Sequence, residues 1–379
     1  MESTANGSNH LIADEGDVLW KLMCGRLGLG FPGTVALLMA WTALTHFGLG
    51  SIISYVMYPT ANIIRVFEPQ HIFYSLLVVF VYTPSVWLMY FWQPRATVGA
   101  LRSLRRNDVI VETGDDTLKS FADKMNRSLN ARAVLLGVIA VCLAGLALET
   151  LIHLPAEAAL RGRPYFWFHD KWYYFLVFVP TVYSAAYAGV MVAAKGILTL
   201  VWFNLLFRRF AVRVHPVNAD GVGGFGALGN LVTKYCLIAV GVGVIGNSLM
   251  VARVLFGVYR VTLDYLALSV LFVALAPCCL IVPLWSAHRA MVRARNKQLE
   301  RVSVQFDTAL SAIGLAKPGS LRLEKAWQEA LTLEQRREFL VGVYPTWPLS
   351  VPARRRLSLA AALPFMASML SIVADVLGR

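Results

Sequence analysis

Residues 173–207 read YYFLVFVPTVYSAAYAGVMVAAKGILTLVWFNLLF, 35 positions that carry a single charge, Lys195. About 20 apolar residues are enough to cross a hydrocarbon core of about 30 Å at a rise of 1.5 Å per residue. The stretch is therefore a membrane helix, and as one helix it would be about 52 Å long. It outruns the bilayer. Either it tilts strongly, breaks near Gly189 or Gly196, or projects into the cytoplasm. A projection would expose Leu198, Val201, Trp202, Leu205 and Leu206, and would need a partner in a cytoplasmic layer or a neighbouring subunit.

Six further runs surround it. Gly33–Met57 is free of Lys, Arg, Asp and Glu, and Ile72–Trp92 follows a turn marked by Pro59 and Pro69. Ala133–Leu154 is interrupted only by Glu149, and the 173–207 stretch supplies the fourth span as Trp172–Ala194. Tyr235–Ala252 lies between Lys234 and Arg253, Tyr265–Ala287 is sixth, and Leu357–Ala374 is a weaker seventh. The composition agrees: 57% of residues are hydrophobic, 15% are charged, and the mean hydropathy is +0.59. A soluble domain carries about 25% charged residues. The expected fold is all-α, a polytopic helical membrane bundle with six to seven transmembrane helices and a small helical cytoplasmic layer.

The net charge of +13 fits this topology. With the N-terminus inside, the cytoplasmic segments 1–30, 93–132, 208–234 and 286–357 hold 27 basic residues, and the outer loops hold 5. Short loops rich in Lys and Arg stay on the cytoplasmic side. The basic excess is thus read as orientation in a plasma or inner membrane, and nucleic acid is not expected as a partner. Tyr165, Phe166, Trp167, Phe168, Trp172, Tyr173 and Tyr174 form an aromatic belt at the outer interface. Residues 1–20 are polar and acidic and do not read as a cleavable signal.

The chain divides into a cytoplasmic segment 1–30, two spans in 31–92 and an amphipathic cytoplasmic loop 93–132. Four spans in 133–288 enclose a Gly-rich cytoplasmic loop, 211–229. A cytoplasmic helical region, 289–356, precedes a seventh transmembrane or re-entrant helix in 357–379. In residues 115–130, Leu118, Phe121, Met125 and Leu129 make a stripe at helical spacing. The sixth span is expected to continue past Trp285 with a coiled-coil-like repeat at Val292, Leu299, Val302, Phe306, Leu310 and Ile313. It breaks at Lys317-Pro318-Gly319, before a mixed-charge helix over 321–341. Arg354, Arg355 and Arg356 follow, a triplet suited to anionic lipid headgroups.

The stretch most like a motif joins the fourth and fifth spans. It holds Arg209, Arg213, His215 and Asp220, then Gly221, Gly223, Gly224, Gly226 and Gly229. Glycines leading into a helix present backbone N–H groups, and the helix dipole favours an anion there. A phosphorylated ligand or a lipid headgroup would suit such a loop. Equally, glycines at the foot of a membrane helix permit a tight turn. Ionisable or polar groups inside spans form the second set: His46, Glu149, Lys195, Asn247, Ser248 and Arg253. Glu149 and Arg253 fall at similar outer depth.

The five cysteines, Cys24, Cys142, Cys236, Cys278 and Cys279, form no CxxC pair, and no His/Cys pattern has metal-ligand spacing. No cofactor, metal site or catalytic residue is expected. The leading expectation is a homo-oligomeric channel or pore gated from its cytoplasmic side. A membrane sensor that binds a phosphorylated ligand or lipid headgroup at 211–229 is the alternative. A lipid-modifying enzyme using His215 and Asp220 as acid and base ranks third.

Overall fold

A computed structural model of the protein describes residues 31–49, 69–112, 117–148, 183–216, 218–255, 263–317 and 320–350, with a few isolated positions beyond these. The described residues are overwhelmingly helical. The elements in chain order are α1 (Phe31–Ala43, running on as a π-helical turn Leu44–Leu49), α2 (Pro69–Leu76), a second π turn (Leu77–Tyr82), α3 (Thr83–Arg106), β1 (Ile110–Val111), α4 (Leu118–Leu129), α5 (Arg132–Leu148), α6 (Ser184–Arg209), β2 (Ala211–Val212), α7 (Gly226–Leu255), α8 (Leu263–Leu315) and α9 (Leu321–Gly342).

Two stretches among the described residues are long and apolar enough to cross a membrane, Leu118–Leu148 and Ser184–Arg209. The first turns at Asn130, so its apolar part is α5. Only 6% of its most apolar segment is buried. A core helix of a soluble protein hides its apolar face, whereas α5 turns Leu136, Val141 and Leu143 outward. The second stretch overlaps the expected Trp172–Ala194, which is described only in part; of the remaining expected spans, Gly33–Met57 is described in part and Leu357–Ala374 lies almost wholly outside the described residues.

Helix α6 runs unbroken through Gly189 and Gly196 to Arg209. Its upper half packs Ala188, Met191 and Val192 against Val86, Trp87, Tyr90 and Phe91 of α3, with Val35 and Leu38 of α1 alongside. Its lower half enters a different apolar cluster, in which Phe203, Leu206 and Phe207 join Leu101 and Leu104 of α3, Phe121 and Met125 of α4, Leu228 of α7 and Met291 of α8. The partner expected for the end of this helix is supplied by α3, α4, α7 and α8. Phe121 meets Trp202 edge-on, with ring centroids 5.2 Å apart. Val201 and Leu205, on the outer side of the same turn, stay exposed.

The stripe expected at 118–129 forms as α4. Thr117 caps it by accepting from the Ser120 N–H, and Leu118, Phe121, Met125 and Leu129 are all buried. Helix α8 is continuous from the sixth apolar run through the repeat that ends at Ile313, 53 residues or about 80 Å long. It ends at Leu315, and Ser320 caps α9, which returns along α8 as a hairpin. One feature was not anticipated. Chain segments on either side of α4, α5 and α6 pair as a two-stranded antiparallel ribbon, Ile110 with Val212 and Val111 with Ala211.

Candidate functional site

The ribbon brings the Gly-rich loop against the turn that ends α3. Arg213 donates its N–H to the Val109 carbonyl at 2.8 Å, and its guanidinium pairs with Asp108. Both side chains of that pair are more than half exposed, so it contributes about 1 kcal/mol at most. Asn107 Nδ2 donates to the Gly224 carbonyl at 3.1 Å, tying the α3 turn to the loop.

Within the loop, the groups expected to cradle an anion are already engaged. Asp220 Oδ1 accepts from the N–H groups of Val222 (3.0 Å) and Gly224 (3.1 Å), and Oδ2 accepts from Gly226 at the start of α7 (2.8 Å). The carboxylate therefore occupies the place an external anion would take. It also meets the positive end of the helix dipole, where a negative charge is favoured. Removing it orphans three donors. Asp220→Ala is expected to lower the thermal midpoint of detergent-solubilised protein, by the equivalent of about 1–3 kcal/mol. Asp220→Asn, which keeps an acceptor, should recover part of the loss.

The glycines have steric reasons to be there. Gly224 has φ +97°, and a Cβ on it would lie 2.6 Å from Val109 Cγ2. Gly229 is in ordinary helix, but a Cβ there would sit 2.2 Å from the carbonyl oxygen of Pro348. Both positions therefore demand a hydrogen in place of a side chain. The segment that comes so close is the connector after α9. Pro345 presses on Gly223, Pro348 on Gly229, and Tyr344 and Leu349 are buried. Burial pushes the Tyr344 phenol above its ordinary pKa. On the other side of the connector, His288 of α8 donates from Nδ1 to the Thr346 carbonyl at 2.7 Å, and its ring stacks on Trp347 with centroids 4.3 Å apart. The connector thus clips the α8–α9 hairpin to the first turns of α7.

His215 donates its backbone N–H to the Gly223 carbonyl, and its Nε2 is buried with no hydrogen-bond partner among the described residues. Gly221, with φ +64°, lies in open space, and Arg209 ends α6 at the surface. Of the groups expected within spans, Lys195 is buried, and its ammonium donates to Asn130 Oδ1 at 3.4 Å. Glu149 lies outside the described residues. His46, Asn247, Ser248 and Arg253 are placed on helices, but their side chains lie outside the described part.

A second polar group was missed from the sequence. Between the two apolar clusters, Gln93, Thr97, Thr199 and Tyr235 are all at least 94% buried where α3, α6 and α7 cross. Gln93 Nε2 donates to the Val192 carbonyl at 3.1 Å, and Thr97 donates to the Gln93 carbonyl at 3.0 Å. The Tyr235 hydroxyl points among Gln93, Thr97 and Thr199, without the distance and alignment of a full hydrogen bond to any of them. Gly196 makes room for the crossing, since a Cβ there would lie 3.3 Å from the Tyr235 ring. The available signal was polar residues four apart in apolar helices: Gln93 and Thr97, Lys195 and Thr199. Among the described residues no His, Cys, Asp or Glu cluster has the make-up of a metal site.

Comparison with protein-family models, with curated proteins and with solved structures finds no match to this chain.

Proposed function

We propose that the chain is an integral protein of the plasma or inner membrane, with its N-terminus cytoplasmic and six to seven spans, and that it forms a homo-oligomeric pore gated from the cytoplasmic side. The membrane placement is supported by one polar level that crosses four helices. Arg95 on α3, Arg132 on α5 and Lys195 on α6 lie where the two apolar clusters divide, and Lys234 on α7 joins them through Trp92. Contacts tie this level together: Lys234 sits over Trp92, Trp92 meets Tyr235, and Lys195 reaches Asn130. Basic and aromatic groups at a common height are what the inner headgroup region selects. Above that level α5 turns Leu136, Val141 and Leu143 outward, whereas below it α4 and the end of α6 turn Phe121, Met125, Phe203 and Leu206 inward.

The observation that carries the functional reading is the hairpin. It is clipped to the foot of α7, yet it leaves Val304, Leu310, Leu315, Leu321 and Trp327 exposed below the lipid level. Five large apolar side chains left in water on one hairpin point to an interface. A second copy of the chain covers it in this reading, so movement between hairpins is transmitted through Pro345–Pro348 to α7. The phosphorylated-ligand reading is less well supported, because an anion would have to displace Asp220 from three N–H groups.

Oligomeric mass in detergent, read by light scattering, tests the assembly. The wild type should be larger than a monomer, and Leu321→Glu combined with Trp327→Glu should shift it towards the monomer. A strictly monomeric wild type contradicts the proposal.

A further inference from the structure

Beyond the sixth expected span, α8 carries charge of nearly one sign. Between Trp285 and Ser303 it holds five basic residues, Arg289, Arg293, Arg295, Lys297 and Arg301, against one acidic residue, Glu300. Four of the five, Arg289, Arg293, Lys297 and Arg301, recur every four positions, and all four are exposed. Residues four apart share a face of a helix, so these make a stripe about 18 Å long. Among the described residues none of the four pairs with a carboxylate. Arg289 lies over the Trp285 ring, 5.2 Å from its centroid, and Arg293 Nε donates to the Arg289 carbonyl at 3.4 Å. Helix α9 returns along α8 with Glu334 and Glu338, but it brings Arg336 and Arg337 as well and so adds no net charge there.

Lipid headgroups do not account for this stripe. The interfacial layer is about 5–8 Å deep on each side of the hydrocarbon core. Lys297 and Arg301 lie about 18 and 24 Å beyond Trp285 along the helix, and a tilt of about 20° barely shortens that depth. They stand in water. Further out on α8, Val304, Leu310 and Leu315 are among the groups that a second copy covers in the reading above. Copies that meet there hold their stripes near one another, and like charges without partners are too costly to bury together. The space between the stripes therefore stays wet. A cleft lined by one sign of charge concentrates small ions of the other sign.

We infer that the pore passes small inorganic anions in preference to cations, with Arg289, Arg293, Lys297 and Arg301 of each copy along its cytoplasmic approach. The inference rests on the pore reading and names what the pore carries. Rings of Arg and Lys are the arrangement that favours anions in a pore, provided that each site holds its ion weakly enough to release it. An exposed stripe in water meets that condition, because it acts through its field and encloses no ion.

The test uses full-length protein in planar bilayers under a gradient of potassium chloride. The chloride-to-potassium permeability ratio is read from the reversal potential, and for the wild type it should exceed one several-fold. Arg293→Glu combined with Lys297→Glu should lower the ratio about tenfold, the lower end of what a focused field does to local ion concentration. Arg293→Gln combined with Lys297→Gln should lower it by a smaller factor and supplies the reading if the first pair does not fold. Lys317→Glu lies about 30 Å from Lys297, several times the screening length of about 8 Å, and should leave the ratio unchanged. A wild-type ratio at or below one, an unchanged ratio in both stripe variants, or an equal fall in Lys317→Glu overturns the inference and leaves the pore standing. Absence of any conductance overturns the pore reading, and the inference with it.

Discussion

Gly229→Ala should largely unseat the connector from α7. The added methyl group would lie 2.2 Å from the Pro348 carbonyl oxygen, an obstacle made of backbone that no rotamer change removes. Overpacking costs about 1–3 kcal/mol where side chains can yield, and a fixed carbonyl places this variant at or above about 3 kcal/mol. The expected result is a sharply lower thermal midpoint together with proteolysis between α9 and the connector. The control is Gly99→Ala on α3, where a Cβ meets nothing within 4 Å. Alanine there should be neutral or stabilising by about 0.5–1 kcal/mol, because it removes the entropy cost of a helical glycine. If Gly229→Ala behaves like Gly99→Ala, the connector does not sit where the structure puts it.

Phe207→Ala should be comparably damaging, by about 3–5 kcal/mol, the range for deleting a large aromatic ring from a packed core. Phe207 is 1% exposed and stacks at a tilt on Phe225, with centroids 5.7 Å apart, at the point where α6 meets the Gly-rich loop. Leu205→Ala, two residues away on the exposed side, should change stability by about 0.5 kcal/mol or less if water lies outside it. The contrast separates two fates of an over-long membrane helix. A tilted helix would be surrounded by lipid along its whole length, and the two variants would then differ little. Thermal unfolding of both proteins in one detergent decides between them.

The helical elements were legible in the sequence where an amphipathic period existed. Leu118, Phe121, Met125 and Leu129 marked α4, and the repeat from Val292 to Ile313 marked the C-terminal part of α8, where Leu310 alone of the repeat is exposed. The excess length of the 173–207 stretch implied a partner for Trp202 and Leu206, and α4 and the lower core supply it. What the sequence concealed depends on long-range pairing. Gln93 reaches Val192 across 99 positions, and Asn107 reaches Gly224 across 117. Nothing local to Gln93 or Thr199 says that three helices cross there.

The Gly-rich loop left a turn and an anion site open in sequence for a physical reason. A run of glycine amides before a helix looks the same in sequence whether its anion comes from outside or from Asp220 beside it. Only the distances from Asp220 to Val222, Gly224 and Gly226 distinguish the two. The steric need for glycine at Gly229 was equally hidden, because the group it admits lies more than a hundred residues away, at Pro348.

The two halves of the functional reading meet at the connector, where His288 and Trp347 join the hairpin and Pro348 touches α7. The most direct test is ion flux from proteoliposomes that contain the wild-type protein or Trp347→Ala. Flux above that of protein-free vesicles is expected for the wild type, with a several-fold change in Trp347→Ala at unchanged oligomeric mass. Wild-type flux equal to that of protein-free vesicles, under gradients of either direction, would contradict it.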